Sequence, residues 1–330
     1  DEDEPSGGHG SSHAQFGVVD GAGDVLAQAK SAGQVQGGII HMPLEHLLRV
    51  LLHDSEIAVQ AIARILEVLL IGNDAAGDQQ AALFGQACFD LGTSKCTYGT
   101  GSFVLVNTGS APVNSSTGLL TTIAWQDPTG AITYALEGSV FVTGAAIQWL
   151  RDGLGIIDSA GDTDALARSV PDSGGVVFVP ALTGLGAPDW DPHARGTILG
   201  LTRGTTRAHI VRAALEAIAF EVTDVVSLMV HEGDVALPAL RVDGGAAANN
   251  FLCEAQATAL GVKVIRAAAL ETTGLGAAFL AGLGTGFWPS KDSIAALVGD
   301  ASVFAPQPRD DRAHRRWRTA VERSKGWALI

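Results

Sequence analysis

At 330 residues and 33.9 kDa the chain is long enough for about two domains of ~150 residues and for a sizeable buried core, which excludes small disulfide-stapled scaffolds. Hydrophobic residues make up 47% and charged residues 17%, with a mean hydropathy of +0.24, so most of the chain is expected to fold as a globular protein. Thirty-five acidic residues against 21 basic ones leave a net charge of −14, a field that repels nucleic acid and anionic membrane surfaces.

Residues 1–38 open on Asp-Glu-Asp-Glu and continue in Ser, Gly, Ala and Gln, with too few large apolar groups to offset the entropy of ordering, so a disordered leader with a trimmed start is expected. Residues 39–75 form a helical segment in this reading. Leu44, Leu47, Leu48, Leu51, Leu52, Val59, Ile62, Ile65, Val68 and Leu69 recur at helical spacing, and Asp54, Ser55 and Glu56 break the pattern into two amphipathic helices. Their polar faces are not basic, which favours packing against a core over lying on a membrane. No secretory leader is visible and no uncharged apolar run reaches the ~18 residues needed to span a bilayer. Cys88, Cys96 and Cys253 have neither disulfide-scaffold density nor zinc spacing, which points to reduced thiols in a cytoplasmic setting.

From Ala76 the texture changes. Strands are expected within Thr100–Asn107, Gly118–Trp125, Ile132–Leu136, Val176–Val179 and Leu240–Val242. Helices are expected at Thr143–Leu154, Ala208–Met229, Asn250–Leu260 and Gly276–Leu283, and the alternation predicts an α/β layered domain over 76–330. The basic cluster Arg312, Arg315, Arg316 and Arg318 reads as the solvated face of a C-terminal helix.

Glycine-rich turns carry the first chemical signal. Thr97-Tyr98-Gly99-Thr100-Gly101-Ser102 and Asp243-Gly244-Gly245-Ala246-Ala247-Ala248-Asn249-Asn250 each offer unobstructed backbone N–H groups to a phosphate, the second between a strand and a helix. Each taken singly is equally well explained as a tight structural turn. No Gly-x-x-x-x-Gly-Lys-Ser/Thr run occurs and no convincing Gly-x-Gly-x-x-Gly follows a strand, which argues against a Walker ATPase and a Rossmann dehydrogenase. Asp90-Leu91-Gly92-Thr93-Ser94-Lys95 imitates a first phosphate loop but sits too close to the Thr97 turn to leave room for a hairpin, so it is read as a decoy. In Gly77-Asp78-Gln79-Gln80 a carboxylate stands beside an amide, the pair that a general base and its substrate-orienting neighbour require; the alternative is that Asp78 caps a helix.

Taken in order, Gly77-Asp78-Gln79-Gln80-Ala81-Ala82-Leu83-Phe84-Gly85-Gln86, Thr97-Tyr98-Gly99-Thr100-Gly101, Tyr134-Ala135-Leu136-Glu137-Gly138, Gln148-Trp149-Leu150-Arg151-Asp152, Gly184-Leu185-Gly186-Ala187-Pro188, Trp190-Asp191-Pro192 and Val242-Asp243-Gly244-Gly245 resemble the glycerol kinases of the FGGY family of carbohydrate kinases. The resemblance runs from Gly77 to about Trp327. It implies an actin-like ATPase (ribonuclease H-like) α/β lobe and ATP-dependent, Mg²⁺-assisted phosphorylation of glycerol, with glycerol and ATP or ADP as partners and room for a homo-oligomer. Carried over by position, Asp78 resembles the catalytic base and a Mg²⁺ ligand, Gln79 a glycerol ligand and Phe103 the apolar wall against the polyol. Thr100, Gly144, Gln148, Gly245 and Asn249 match nucleotide contacts. A non-catalytic nucleotide-binding fragment, or a kinase for another polyol or sugar, stays open as an alternative.

The chain also departs from that pattern. The family's first lobe, with its Asp-x-Gly-Thr-Thr loop and further glycerol ligands, has no counterpart before Ala76. Asp189 stands where Tyr is usual, which is expected to alter a surface near the cleft, and Gly274 stands where Ala is usual. His193 and His209 are expected on the surface, and Glu137 in either a supporting or a purely structural hydrogen bond.

Overall fold

The computed structural model describes residues 77–269, 271–308 and 311–329, and the backbone pairing of β1 (Val35–Gln36) with β2 (Ile39–Ile40). The chain divides into two units, Asp1–Glu67 and Val68–Ile330. In the first, β1 and β2 pair antiparallel; the rest of the expected leader and the two expected amphipathic helices lie outside the described residues.

The second unit is built on a seven-stranded sheet. Its strands are β3 (Ser94–Tyr98), β4 (Ser102–Gly109), β5 (Leu120–Gln126), β6 (Ile132–Val140), β9 (Ala239–Asp243), β10 (Lys263–Ala267) and β11 (Asp300–Phe304), in the order β11-β10-β9-β3-β4-β6-β5. β10, β9 and β3 run parallel, β11 is antiparallel to β10, and β3, β4, β6 and β5 pair antiparallel in that order, with β5 at the edge beyond β6. A separate pair, β7 (Val177–Val179) with β8 (Thr197–Leu199), stands apart from this sheet.

Helices cover both faces, as the continuous burial of central strands such as β4 requires. On one face Tyr98, Val104, Val106, Leu136, Leu240 and Val242 pack against α4 (Arg207–Gly233) and α5 (Asn250–Leu260). α4 is the longest described helix and buries an almost unbroken run of Ala, Val, Ile and Leu. It ends at Asp234 with φ +47, while α5 starts where Asn249 Oδ1 accepts the Leu252 N–H at 2.9 Å. On the other face Leu105, Ala124, Trp125 and Ala135 pack against α1 (Asp78–Gly85) and α6 (Thr272–Gly284). The remaining elements are α2 (Gly144–Gln148) continuing into a π turn at Trp149–Gly153, α3 (Asp162–Arg168), α7 (Lys291–Ala295) and α8 (Asp311–Ser324).

Three sequence expectations are corrected. Asp78 is the first residue of α1 and Gly77 takes the cap position, so the Asp78 side chain does not cap the helix. Arg318, expected on a solvated face, makes a bidentate pair with Asp189 at 2.7 and 2.9 Å and reaches Asp224 at 3.1 Å, while Arg315 and Arg316 are exposed as expected. Asp189 is accordingly not a surface alteration: its side chain is 8% exposed, it also holds Lys325 at 2.7 Å, and both cations keep its carboxyl below the usual range against the opposing effect of burial.

All three cysteines are buried, and burial pushes each thiol up to about 12. A thiol reagent at pH 8 is expected to find essentially none of them in the folded chain and all three after unfolding. Because these folded-state values lie above the 9.0 of an unperturbed thiol, their contribution to stability is complete below about pH 9 and is lost as the pH climbs toward 12. Early labelling of the native protein would contradict the burial.

Candidate active site

Ligands of open α/β sheets sit outside the carboxyl ends of parallel strands, and there the two glycine turns meet. Gly244, at φ +83, brings its Cα so close to the strand-end backbone that a Cβ would lie 2.5 Å from the Tyr98 carbonyl oxygen. Only glycine lets the second turn fold against the first. Across the first turn, the N–H groups of Thr143 and Ala145 donate to Thr100 O at 2.8 and 3.1 Å, and that of Gly144 to Gly99 O at 3.0 Å. Ser102 and Thr143 add a hydroxyl contact of 2.6 Å beneath them.

Between these turns, α2, α3, α4 and α5 opens a cavity of about 580 Å³, which is the size class of small-molecule sites. Thr100, Gly144, Gln148, Gly245 and Asn249 all line it. They contribute differently. A Cβ on Gly144 would meet Gly99 O at 2.6 Å, so this glycine permits close packing, whereas a Cβ on Gly245 would meet nothing within 4 Å and this glycine leaves the cavity open. Asn249 Nδ2 donates to Thr163 Oγ1 at 2.9 Å while its oxygen caps α5, which fixes the side chain at both ends. Thr100 and Gln148 are exposed to the cavity mouth.

Asp78, Gln79 and Phe103 lie on the opposite face of the sheet. Register places Thr97 beside Asp243 on one side and beside Phe103 on the other, with Lys95 two residues before Thr97 on the same face. Phe103 is 39% exposed there. The Asp78 carboxylate makes no hydrogen bond with any described residue, while Thr273 Oγ1 approaches the Asp78 carbonyl at 3.4 Å.

Behind the start of α1 runs a buried polar network that sequence reasoning missed. Lys95 is fully buried; its Nζ donates to Gln79 Oε1 and, at 3.1 Å, to Thr97 Oγ1. Burial pushes the ammonium pKa down, and the Asp243 carboxylate is the first group to pull it back up. Asp243 accepts from Thr272 Oγ1 through Oδ2, and its Oδ1 is buried without a partner. Gln80 Nε2 bridges Thr122 at 3.0 Å and Glu137 at 3.3 Å, and burial raises the Glu137 carboxyl. Glu137 thus sits in a hydrogen bond beside the candidate base. The one sequence signal was a lysine in the middle of a strand, which had been absorbed into the decoy phosphate loop.

A family model of the C-terminal domain of the FGGY family of carbohydrate kinases matches residues 94–285, more than half of the chain. The chain belongs to the FGGY family. Relatives include the glycerol kinase of Aromatoleum aromaticum, 59% identical over 254 residues that make up 76% of this chain and 51% of that protein. Glycerol kinase 2 of Thermotoga maritima is 56% identical over 265 residues, 79% of this chain and 53% of that one. Among solved structures, the glycerol kinase of Plasmodium falciparum with ADP superposes with a TM-score of 0.71 at 40% identity, over 75% of this chain and 50% of that one. A xylulose kinase from Rhodospirillum rubrum gives 0.66 at 26%. This FGGY chain therefore has the actin-like ATPase fold and spans about half the length of the relatives it matches. Among its described residues no helix is long and apolar enough to cross a membrane.

Proposed function

We infer that residues 76–330 form the nucleotide-binding, base-bearing lobe of an ATP-dependent glycerol kinase acting in the cytoplasm. One observation carries the reading: all five nucleotide candidates converge on a single cavity, in a chain 40% identical to a glycerol kinase solved with ADP. Thr100 and the backbone of the two glycine turns serve the phosphates, and Gln148 and Asn249 hold the nucleoside end. Asp78 takes the proton from a terminal hydroxyl of glycerol as that oxygen bonds to the γ-phosphorus. The bond from the γ-phosphorus to the bridging oxygen breaks, leaving ADP and sn-glycerol 3-phosphate. Gln79 orients the polyol and Phe103 covers its carbon side.

The residues fit Mg²⁺, which takes one or two carboxylates and completes its shell with water and phosphate oxygens. The free carboxylate of Asp78 and the unpartnered, buried Oδ1 of Asp243 are the groups suited to it, and no cluster of three or more His, Cys, Asp or Glu that could hold a metal occurs among the described residues. When bound, the ion neutralises phosphate charge.

Calorimetric titration of the 330-residue chain with ADP and Mg²⁺ is expected to show weak, saturable binding, with glycerol-dependent ADP release near or below detection. Positioning of both substrates supplies ~7 to 11 kcal/mol of barrier lowering in such reactions, and the proposed glycerol contacts here are only Asp78, Gln79 and Phe103, in a chain that spans about half the length of its relatives. Absence of ADP binding would overturn the reading. Robust turnover abolished by Asp78→Asn would instead show that a second surface, from residues 1–75 or another chain, completes the glycerol site.

A further inference from the structure

The turn from Gly245 to Asn249 forms a wall of the cavity, yet ahead of the anchored Asn249 it is composed of glycine and alanine, whose side chains make no hydrogen bonds. Within the turn, the Ala247 N–H donates to Gly244 O and the Asn249 N–H to Ala246 O, both at 3.1 Å. The carbonyls of Ala247 and Ala248 end the 3-10 segment Gly245–Ala248, and Ala247 O accepts from Cys253 Sγ at 3.3 Å. Both carbonyls are gripped by Arg266, which stands on β10: its Nη1 donates to Ala247 O at 3.0 Å, to Ala248 O at 3.3 Å and to Asn250 Oδ1 at 2.9 Å. Its Nη2 donates to Ser302 Oγ at 2.8 Å on β11, and the guanidinium lies 5.3 Å from the Phe304 ring centroid. The planar fork is thus pinned on the antiparallel pair β10-β11 at the sheet edge, and its other arm holds the turn.

We propose that Arg266 is a positioning residue for nucleotide binding: it holds the Gly245–Asn249 turn in the shape that receives an adenine nucleotide, without lining the cavity itself. The peptide planes that hold the Ala247 and Ala248 carbonyls also hold the N–H groups of Ala248 and Asn249, so fixing them sets where the chain enters α5 and how the Asn249 side chain is directed. A turn of free glycine and alanine would have to be ordered at the moment of binding, and that entropy would be subtracted from affinity. Only a guanidinium reaches two acceptors on the turn, a third at the start of α5 and a fourth on β11 at once; a lysine keeps the charge but not the fork.

This inference rests on the nucleotide reading above, and the experiment separates the two. Hydrogen exchange on the ligand-free chain and calorimetry with Mg²⁺ and ADP are compared for the parent, Arg266→Met, Arg266→Lys and Ser302→Ala. In Arg266→Met the amides of Gly245 to Asn249 are expected to exchange faster while β3 and α4 keep their protection, and ADP affinity to fall about tenfold, the equivalent of one charge-assisted hydrogen bond. Arg266→Lys should recover melting temperature but little affinity. Ser302→Ala, which frees only the outer anchor and keeps the chain folded, should weaken ADP by about two- to threefold. If Arg266→Lys binds ADP like the parent, charge and not shape is what Arg266 supplies and the proposal is overturned. It is overturned equally if the turn amides of Arg266→Met exchange as in the parent. A parent that binds no ADP sinks the nucleotide reading itself, while the exchange comparison still decides whether Arg266 orders the turn.

Discussion

Gly276→Ala is expected to destabilise the second unit by about 3 kcal/mol or more, while Gly274→Ala, two residues earlier on the same helix, stabilises it by about 0.5 to 1 kcal/mol. α1 and α6 cross with their backbones in contact. A Cβ at Gly276 would lie 1.7 Å from Ala81 O and 2.8 Å from the Gly85 nitrogen, and neither can swing aside because both are main chain. The helices must part, and with them the packing of Leu83, Phe84 and Phe279 around Trp125. Gly274 is exposed, and a Cβ there meets nothing within 4 Å, so alanine only removes unfolded-state entropy. This is the position where the family resemblance leads one to expect Ala. Urea unfolding of both variants measures the contrast, and a Gly276→Ala protein within about 1 kcal/mol of the parent would show that the crossing is not tight. ADP binding by the folded fraction should survive, since the cavity lies on the other face of the sheet.

Lys95→Met is expected to cost about 3 to 5 kcal/mol, because it removes a buried ammonium and its two charge-assisted hydrogen bonds, each worth ~1.5 to 3 kcal/mol. Met matches the lysine stem in length, so little packing is lost. What is lost is the ammonium between Gln79 Oε1 and Thr97 Oγ1 and the charge that offsets buried Asp243. The double variant Lys95→Met with Asp243→Asn should therefore be more stable than Lys95→Met alone, by a margin that a double-mutant cycle measures directly. Additive losses would show that the two groups do not interact. Gln79, deprived of its donor, would also lose the orientation on which its proposed role toward the polyol depends.

The arrangement of the site was legible in the sequence to different depths. Glycine turns beside polar residues marked both phosphate candidates, and the ordered motifs supplied Asp78, Gln79 and Phe103, all of which the fold places at the strand ends or at the start of α1. The long apolar run of α4 and the β-prone runs of β4 and β6 between glycine turns were also readable, because composition and spacing of this kind are properties of neighbours along the chain. β3 was not. Its Ser-Lys-Cys-Thr-Tyr carries a lysine where a central strand is expected to be apolar, and it followed a segment that imitates a phosphate loop. Asp243 was seen only as the start of a turn, and Arg266 had no reading at all.

Sequence by itself determined the α/β alternation, the family and the two glycine turns, since each is written in local pattern and backbone permissiveness. Tertiary structure alone decided that Lys95 is buried on the sheet face it shares with Asp243, that Arg318 leaves the solvent to hold Asp189, and that Arg266 braces a turn it does not belong to. Charge burial costs free energy unless a partner compensates for it. For these residues the partner is brought in by strand register or helix packing from far along the chain, where no local pattern reaches.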